Sequence, residues 1–162
     1  MTLYERASPS VDAIDIELNS SEALKRAVKA LTRKNKNTLI FSYHNFSKTP
    51  SEAELERILT GALSEGAEIV KIATVAENQA DVIRLFQFTL KNRAKNIVTI
   101  SMGETGSISR LVFPLAGSLM TYTSVAPSDG QIPVGELVQH IRLYYPSFNE
   151  ELICRLKLLE FV

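Results

Sequence analysis

Short apolar segments alternate regularly with amphipathic segments along most of this chain, and this alternation limits the folds that the chain can adopt. Five segments are apolar enough for buried strands, at residues 13–18, 38–43, 68–73, 97–102 and 118–123. Several are apolar at both odd and even positions, which is typical of parallel strands covered on both faces. The sequence therefore predicts an α/β fold that is built from βα units.

The segments between the predicted strands carry apolar side chains at helical spacing. One stripe has the i, i+3, i+4, i+7 pattern of a helix that packs one face on a sheet, at Leu24, Ala27, Val28 and Leu31. Later helices are predicted near residues 107–115, 134–144 and 149–161. We predict one βα domain over residues 1–145 and a C-terminal helical extension over residues 146–162.

Polar side chains near the ends of the predicted strands distinguish between two parallel architectures. In a βα barrel, reactive groups collect at the C-terminal ends of many strands. Five side chains lie late in a predicted strand or just beyond it: Glu17, His44, Lys71, Met102 and Tyr122. An open dinucleotide-binding sheet would need a glycine-rich turn after its first strand, and residues 19–21 contain no glycine. We therefore predict TIM-barrel-type (β/α) units.

Lys71 is the most informative single residue, because it interrupts the apolar run at residues 67–73 that contains the third predicted strand. Burial disfavours a charged amine and increases its neutral, nucleophilic form. His44 ends the preceding strand, so an imidazole that can carry protons is predicted close by. A lysine nucleophile beside a histidine is suited to imine chemistry on a carbonyl compound. A lone lysine in such a strand is more often an edge or snorkelling residue.

Composition excludes several classes of partner. The 18 basic and 18 acidic residues cancel, so no global field favours nucleic acid or an anionic membrane. The N-terminus has no signal-peptide pattern, and the longest apolar stretch, residues 111–122, is too short to span a bilayer. The single cysteine, Cys154, suits a reducing compartment. These features predict a cytoplasmic protein.

Five motifs in the same order resemble those of type I 3-dehydroquinate dehydratase. They are VDAIDIEL at 11–18, SYHNF at 42–46, GAEIVKIA at 66–73, SMG at 101–103 followed by ISRL at 108–111, and GQI at 130–132. The resemblance implies a (β/α)8 barrel that dehydrates 3-dehydroquinate to 3-dehydroshikimate in the shikimate pathway. It implies a lysine Schiff base, with neither a metal nor a cofactor.

The resemblance also implies a role for individual residues. Lys71 is expected to form the imine, His44 to move protons, and Glu17 to orient His44. Arg110 is expected to hold the substrate carboxylate, and Gln131 to close the site from the last βα loop. Phe46, Met102 and Tyr122 are expected to form the apolar wall of the site, and Ser128 to contact the substrate carboxylate from the loop. Ser128 takes the place of the family's loop serine that contacts the carboxylate, because residues 126–131 depart from the family's usual loop sequence.

The first motif corresponds to the family's fourth strand, so the resemblance implies an incomplete barrel of about five parallel strands. Five strands do not close a barrel that needs eight. The strands at residues 13–18 and 118–123 are then expected to be open edges that favour pairing with another chain. A truncated gene product, one piece of a split enzyme and a homo-oligomer each account for this pattern.

Three functions remain open on the sequence alone. The first is the dehydratase itself, and the second is a weak or inactive remnant, or a piece of a split enzyme, that acts as an interaction module. The third is a lyase of the class I aldolase type that acts on another small ketone. This third function would use Lys71 but would not explain Arg110 and Gln131.

Overall fold

The computed structural model describes residues 3–124, 130–145 and 158–160. Its strands are β1 (Ala13–Glu17), β2 (Thr38–Asn45), β3 (Ile69–Val75), β4 (Ile97–Met102) and β5 (Leu158–Glu160). Its helices are α1 (Leu3–Ala7), α2 (Glu22–Asn35), α3 (Glu52–Ser64), α4 (Gln79–Asn92), α5 (Ser109–Ala116) and α6 (Val134–Tyr144). Strands β1 to β4 alternate with helices, which confirms the predicted α/β class.

All strand pairs in the sheet are parallel, in the order β4-β3-β2-β1-β5. Ala13 pairs with Thr38, Ile40 with Ile69, and Val70 with Ile97. Because neighbouring strands run in the same direction, the C-terminal ends of β1, β2 and β3 meet at one edge. This edge carries Glu17 and His44.

The two faces of the sheet have different roles. One face packs on the helices through Ile14, Ile16, Phe41, Val70 and Ile72, which are all buried. The opposite face carries the alternate residues, which include Asp15, Glu17, Ser42, His44 and Lys71. A smaller apolar cluster adjoins these polar residues on that face. Its buried residues are Ala73, Val98 and Ile100, and Met102, Met120 and Tyr122 pack against these three.

Polar caps define where the main helices begin. Ser21 and Ser51 accept hydrogen bonds from the backbone N–H groups three residues later, in α2 and α3 respectively. Asn78 accepts the equivalent bond from Asp81 at the start of α4. Each cap satisfies a backbone donor that the first helical turn leaves without an intrahelical partner.

The strand predicted at residues 118–123 is wrong. Among the backbone groups of these residues, only the Leu119 N–H bonds to the β4 backbone, at Ile97 O (2.9 Å). The Thr99 N–H donates instead to Ser118 Oγ (3.0 Å), and this hydroxyl donates to Met120 O (3.0 Å). A side chain therefore takes the place of the backbone ladder that a fifth barrel-type strand would need.

The helix predicted over residues 149–161 is wrong at its C-terminal end. Leu158–Glu160 forms β5, which pairs with Ala13–Asp15 of β1. A short leucine-rich segment has a pattern that fits a helix or a strand equally well. The backbone N–H and C=O groups along the edge of β1 need hydrogen-bond partners, and this favours the strand. The edge of β1 is therefore covered over these residues. The other residues of the predicted extension lie outside the described part of the chain.

Candidate active site

Glu17 and His44 form a hydrogen-bonded pair at the C-terminal ends of β1 and β2. Glu17 pairs with Ser42 in the sheet register, which places its side chain on the same face as His44. Glu17 Oε2 lies 2.7 Å from His44 Nδ1, and Oε1 accepts a bond from the His44 backbone N–H at 3.1 Å. An ionised carboxylate only accepts, so Nδ1 carries the proton and Nε2 is the basic nitrogen of the neutral ring.

The carboxyl group of Glu17 has a lowered pKa. Burial alone would raise it, but the hydrogen bonds from His44 and Ser42 stabilise the ionised form and outweigh burial. The hydroxyl of Ser42 donates to Oε2 at 3.1 Å. The ionised form of Glu17 is therefore favoured, and it accepts the hydrogen bond from His44 Nδ1.

This lowered pKa predicts a pH-dependent contribution to stability. In the folded chain, Glu17 binds a proton less readily than in the unfolded chain, where its carboxyl group has the ordinary pKa of 4.5. The contribution is fully present above pH 4.5 and decreases as the pH falls through the lower folded pKa. We expect the difference in free energy of unfolding between wild type and Glu17→Gln to shrink below pH 4.5 in urea titrations. Glu104→Gln, at an exposed loop position, should show no such change.

Lys71 is buried on the same face, with 2% of its surface exposed. It pairs with Ser42 in the register, two residues before the position of His44. Its Nζ donates to Asp15 Oδ2 at 3.1 Å and lies 4.6 Å from the centre of the Tyr122 ring. Burial lowers the pKa of Lys71, and the negative charges of Asp15 and Glu17 oppose this only in part.

Asp15 is a site residue that the sequence analysis missed. It is 1% exposed, and its Oδ1 has no hydrogen-bond partner among the described residues. The signal was present in the strand pattern. An acidic residue between Ile14 and Ile16 in a strand covered on both faces needs a buried cation, and Lys71 provides one.

Arg110 lies at the start of α5, beside the C-terminal end of β4. Its Nη1 donates to Ser101 O at 2.6 Å, and Ser109 Oγ donates to the same carbonyl at 3.0 Å. The Arg110 side chain is buried, and its Nε has no hydrogen-bond partner in the described part of the chain. A fixed guanidinium with an unused donor is suited to binding a carboxylate.

The predicted apolar contacts occupy different environments. Met102 and Tyr122 are half-buried and pack on Ala73, Val98 and Ile100. Phe46 is 68% exposed and stacks on the His44 ring, with centroids 5.8 Å apart. Phe46 therefore covers one face of the imidazole and is not packed into the apolar cluster.

The segment with Gln131 folds against the loop that follows β4. A Cβ atom on Gly130, where φ is +68°, would lie 2.5 Å from the Gly103 backbone, so this approach needs glycine. Thr123 Oγ1 donates to Ile132 O at 2.5 Å, and Ser124 forms a bridge with Pro133. Gln131 is exposed next to this contact. Ser128 lies outside the described residues.

Neither a metal cluster nor a spanning helix is present within the described ranges. Residues 3–124 and 130–145 hold no group of three or more His, Cys, Asp or Glu side chains that could bind a metal ion. The same part of the chain has no helix long and apolar enough to cross a membrane.

Comparison with known proteins decides the family. A model of the family described as "Type I 3-dehydroquinase" matches residues 1–147. The chain belongs to the type I 3-dehydroquinase family. The 3-dehydroquinate dehydratase of Thermodesulfovibrio yellowstonii is 37% identical over 138 residues, which are 84% of this chain and 60% of that protein.

Solved structures of type I 3-dehydroquinases support the same assignment. The enzyme from Clostridium difficile, solved with covalent modified comenic acid, has a TM-score of 0.82 and 32% identity, over 90% of this chain and 60% of that one. The enzyme from Aquifex aeolicus has a TM-score of 0.77 and 37% identity, over 89% and 65% of the two chains. These neighbours have a TIM-barrel-type fold, which confirms the predicted fold class. The chain spans about 60% of the length of the curated relatives that it matches.

Proposed function

We propose that this chain carries the catalytic groups of a 3-dehydroquinate dehydratase, a hydro-lyase that converts 3-dehydroquinate to 3-dehydroshikimate. The observation that carries the proposal is one face of a parallel sheet that holds both a buried lysine and an oriented histidine. Lys71 is 2% exposed on β3, and His44 is fixed by Glu17 at the end of the adjacent strand. Membership of the type I 3-dehydroquinase family gives the substrate.

Lys71 supplies the electron sink of the proposed reaction. Its neutral amine attacks the ketone carbon and forms a carbinolamine. The proton that the ammonium group gave up is returned to the carbinolamine hydroxyl, which leaves as water, and a protonated imine remains. The positive imine acidifies the neighbouring C–H bond, so that a base can remove its proton and leave an enamine. The enamine then expels the hydroxyl group. Lysine is suited to this step because burial increases the neutral fraction of its amine.

His44 moves the protons of the elimination. Since Nδ1 donates to Glu17, Nε2 is the nitrogen that takes the C–H proton and returns it to the departing hydroxyl. Glu17 prevents the ring from turning and favours this tautomer. Arg110 binds the substrate carboxylate, which is the group that a buried guanidinium recognises in two-point contact. Gln131, Ser128, Phe46, Met102 and Tyr122 complete the substrate contacts of this proposal.

Borohydride trapping tests the proposed function. The chain is incubated with 3-dehydroquinate and sodium borohydride, digested, and analysed by mass spectrometry. We expect one reduced adduct on the peptide that contains Lys71, and none when 3-dehydroquinate is omitted. The absence of any adduct at high 3-dehydroquinate concentration would contradict the dehydratase and favour the inactive remnant.

We propose further that the chain associates with copies of itself in the cytoplasm. Helices α5 and α6 and the segment after α5 carry exposed apolar side chains, namely Leu115, Leu119, Leu143 and Tyr144. Such side chains are typical of a protein interface when they are contiguous. The single cysteine, Cys154, suits the reducing cytoplasm. Light scattering should detect a dimer or larger assembly at micromolar concentration, and a stable monomer would point to a complementing chain instead.

A further inference from the structure

We propose that Asp15 is a positioning residue for Lys71, and that it keeps positive charge at Nζ both before the ketone binds and after the imine forms. This inference deepens the proposed function and rests on it. Asp15 Oδ2 accepts a hydrogen bond from Lys71 Nζ at 3.1 Å, and both side chains are almost completely buried.

The sheet register gives this pair its geometry. Asp15 pairs with Ile40 of β2, and Ile40 pairs with Ile69 of β3, so Asp15 and Lys71 stand on strands that are not neighbours. The two strands lie about 9.5 Å apart, since adjacent strands are separated by about 4.8 Å. The side chain of Lys71 therefore has to cross the face of β2 to reach Asp15. This contact directs Nζ toward the β1 side, which also carries Glu17.

The charge at Nζ is the same at both ends of the imine-forming step. A lysine ammonium and a ketone give a protonated imine and one water, with no net gain or loss of protons. The proton that leaves Nζ before the attack returns on the carbinolamine oxygen, which departs as water when the C–N double bond forms. Asp15 stabilises the ammonium before this step and the protonated imine after it. It disfavours the neutral amine that forms between the two.

Burial makes this counter-charge necessary. A cation in a dry site is strongly destabilised unless an anion is close. Among the described residues, the charges of Asp15 and Glu17 on β1 act on Nζ, the Tyr122 ring lies against it, and His44 on β2 is on the same face of the sheet. Asp15 makes the direct contact, whereas Glu17 is engaged by His44. Asp15 Oδ1 has no hydrogen-bond partner within the described part of the chain, so it can accept a bond from a bound ligand.

An Asp15→Asn variant tests the proposal because it keeps the shape and removes the charge. The chain is labelled with carbon-13 at the lysine Cε atoms, and the Lys71 signal is assigned with Lys71→Met and followed by NMR against pH. We expect the titration midpoint of Lys71 to be lower in Asp15→Asn than in wild type by about one pH unit or more. Such a shift is a tenfold or larger rise in the ratio of neutral amine to ammonium at Lys71. At a pH between the variant and the wild-type midpoints, the free amine of the variant is neutral while its protonated imine lacks the counter-charge. At equal 3-dehydroquinate concentration, the borohydride adduct should therefore fall at this pH, by up to a similar factor.

Asp81→Asn is the matched control. Asp81 is also a buried carboxylate paired with a cation, at 2.7 Å from Arg84, but it lies on α4. This control should leave the Lys71 midpoint unchanged. A folded Asp15→Asn variant with the wild-type midpoint would overturn the proposal.

A measurement on the wild-type chain applies if Asp15→Asn does not fold. At neutral pH, Lys71 should give a nitrogen-15 ammonium signal that exchanges slowly with water and is absent from Lys71→Met. A neutral Lys71 under these conditions would overturn the proposal. The titration needs no ketone, so failure to trap an adduct in the wild-type chain would contradict the proposed function alone.

Discussion

Lys71→Met is expected to abolish the proposed dehydratase activity and the borohydride adduct completely. The thioether cannot attack a carbonyl, and no other lysine lies on the same face beside the Glu17–His44 pair among the described residues. The variant should also lose about 3–5 kcal/mol of stability, because Asp15 remains buried without its cation. Turnover assays, adduct mass and urea unfolding measure the three effects.

Two further variants separate lost chemistry from lost stability. Lys71→Arg keeps a cation beside Asp15 and should retain more of the stability, but its guanidinium forms no imine. Lys25→Met removes another buried lysine, which bonds to Glu22 and Glu65 on the helical side of the sheet. Lys25→Met should form the adduct normally. An adduct on any other peptide of Lys71→Met would show that the nucleophile has been assigned wrongly.

His44→Ala is expected to form the imine and yet turn over about 10²- to 10⁴-fold more slowly than wild type. General acid–base groups contribute factors of this size, whereas the attack by Lys71 needs only its own amine. Borohydride should therefore trap the adduct in the variant at close to the wild-type yield. Steady-state kinetics and adduct mass, measured on one preparation, distinguish the two steps.

The second histidine of the chain is the control for this prediction. His140 lies on α6, its side chain is 42% exposed, and its Nε2 is 3.7 Å from Glu136 Oε1. It therefore resembles His44 in having a carboxylate neighbour, but it is far less buried. His140→Ala should keep full turnover. A His44→Ala variant that forms no imine would contradict the separate roles given to His44 and Lys71.

The βα units could be predicted from the sequence because their strands are apolar and their helices have clear stripes. Strand β4 and helix α6 have the predicted bounds, at Ile97–Met102 and Val134–Tyr144. The prediction failed at residues 118–123, where composition favours a strand. The hydroxyl of Ser118 takes the Thr99 N–H that a ladder would use, and residue-type patterns do not reveal which donor a hydroxyl will occupy.

The candidate site was partly predictable for a similar reason. Glu17, His44 and Lys71 were found because their residue types have clear chemical roles at strand ends. Asp15 was missed because it was treated as part of a motif, although an acid between two isoleucines needs a buried partner. Phe46 was expected in an apolar wall, but its exposure depends on a loop path that sequence spacing does not specify.

The pairing of β5 with β1 has a consequence for how the chain folds during synthesis. Ala13–Asp15 leave the ribosome long before their partners in Leu158–Glu160. This is the largest sequence separation of any strand pair in the sheet, and long-range pairing of this kind is slow because a long loop must close first. The growing polypeptide therefore exposes one side of β1 until residues 158–160 have been synthesised, and chaperones that bind extended apolar segments would have access to it during this time.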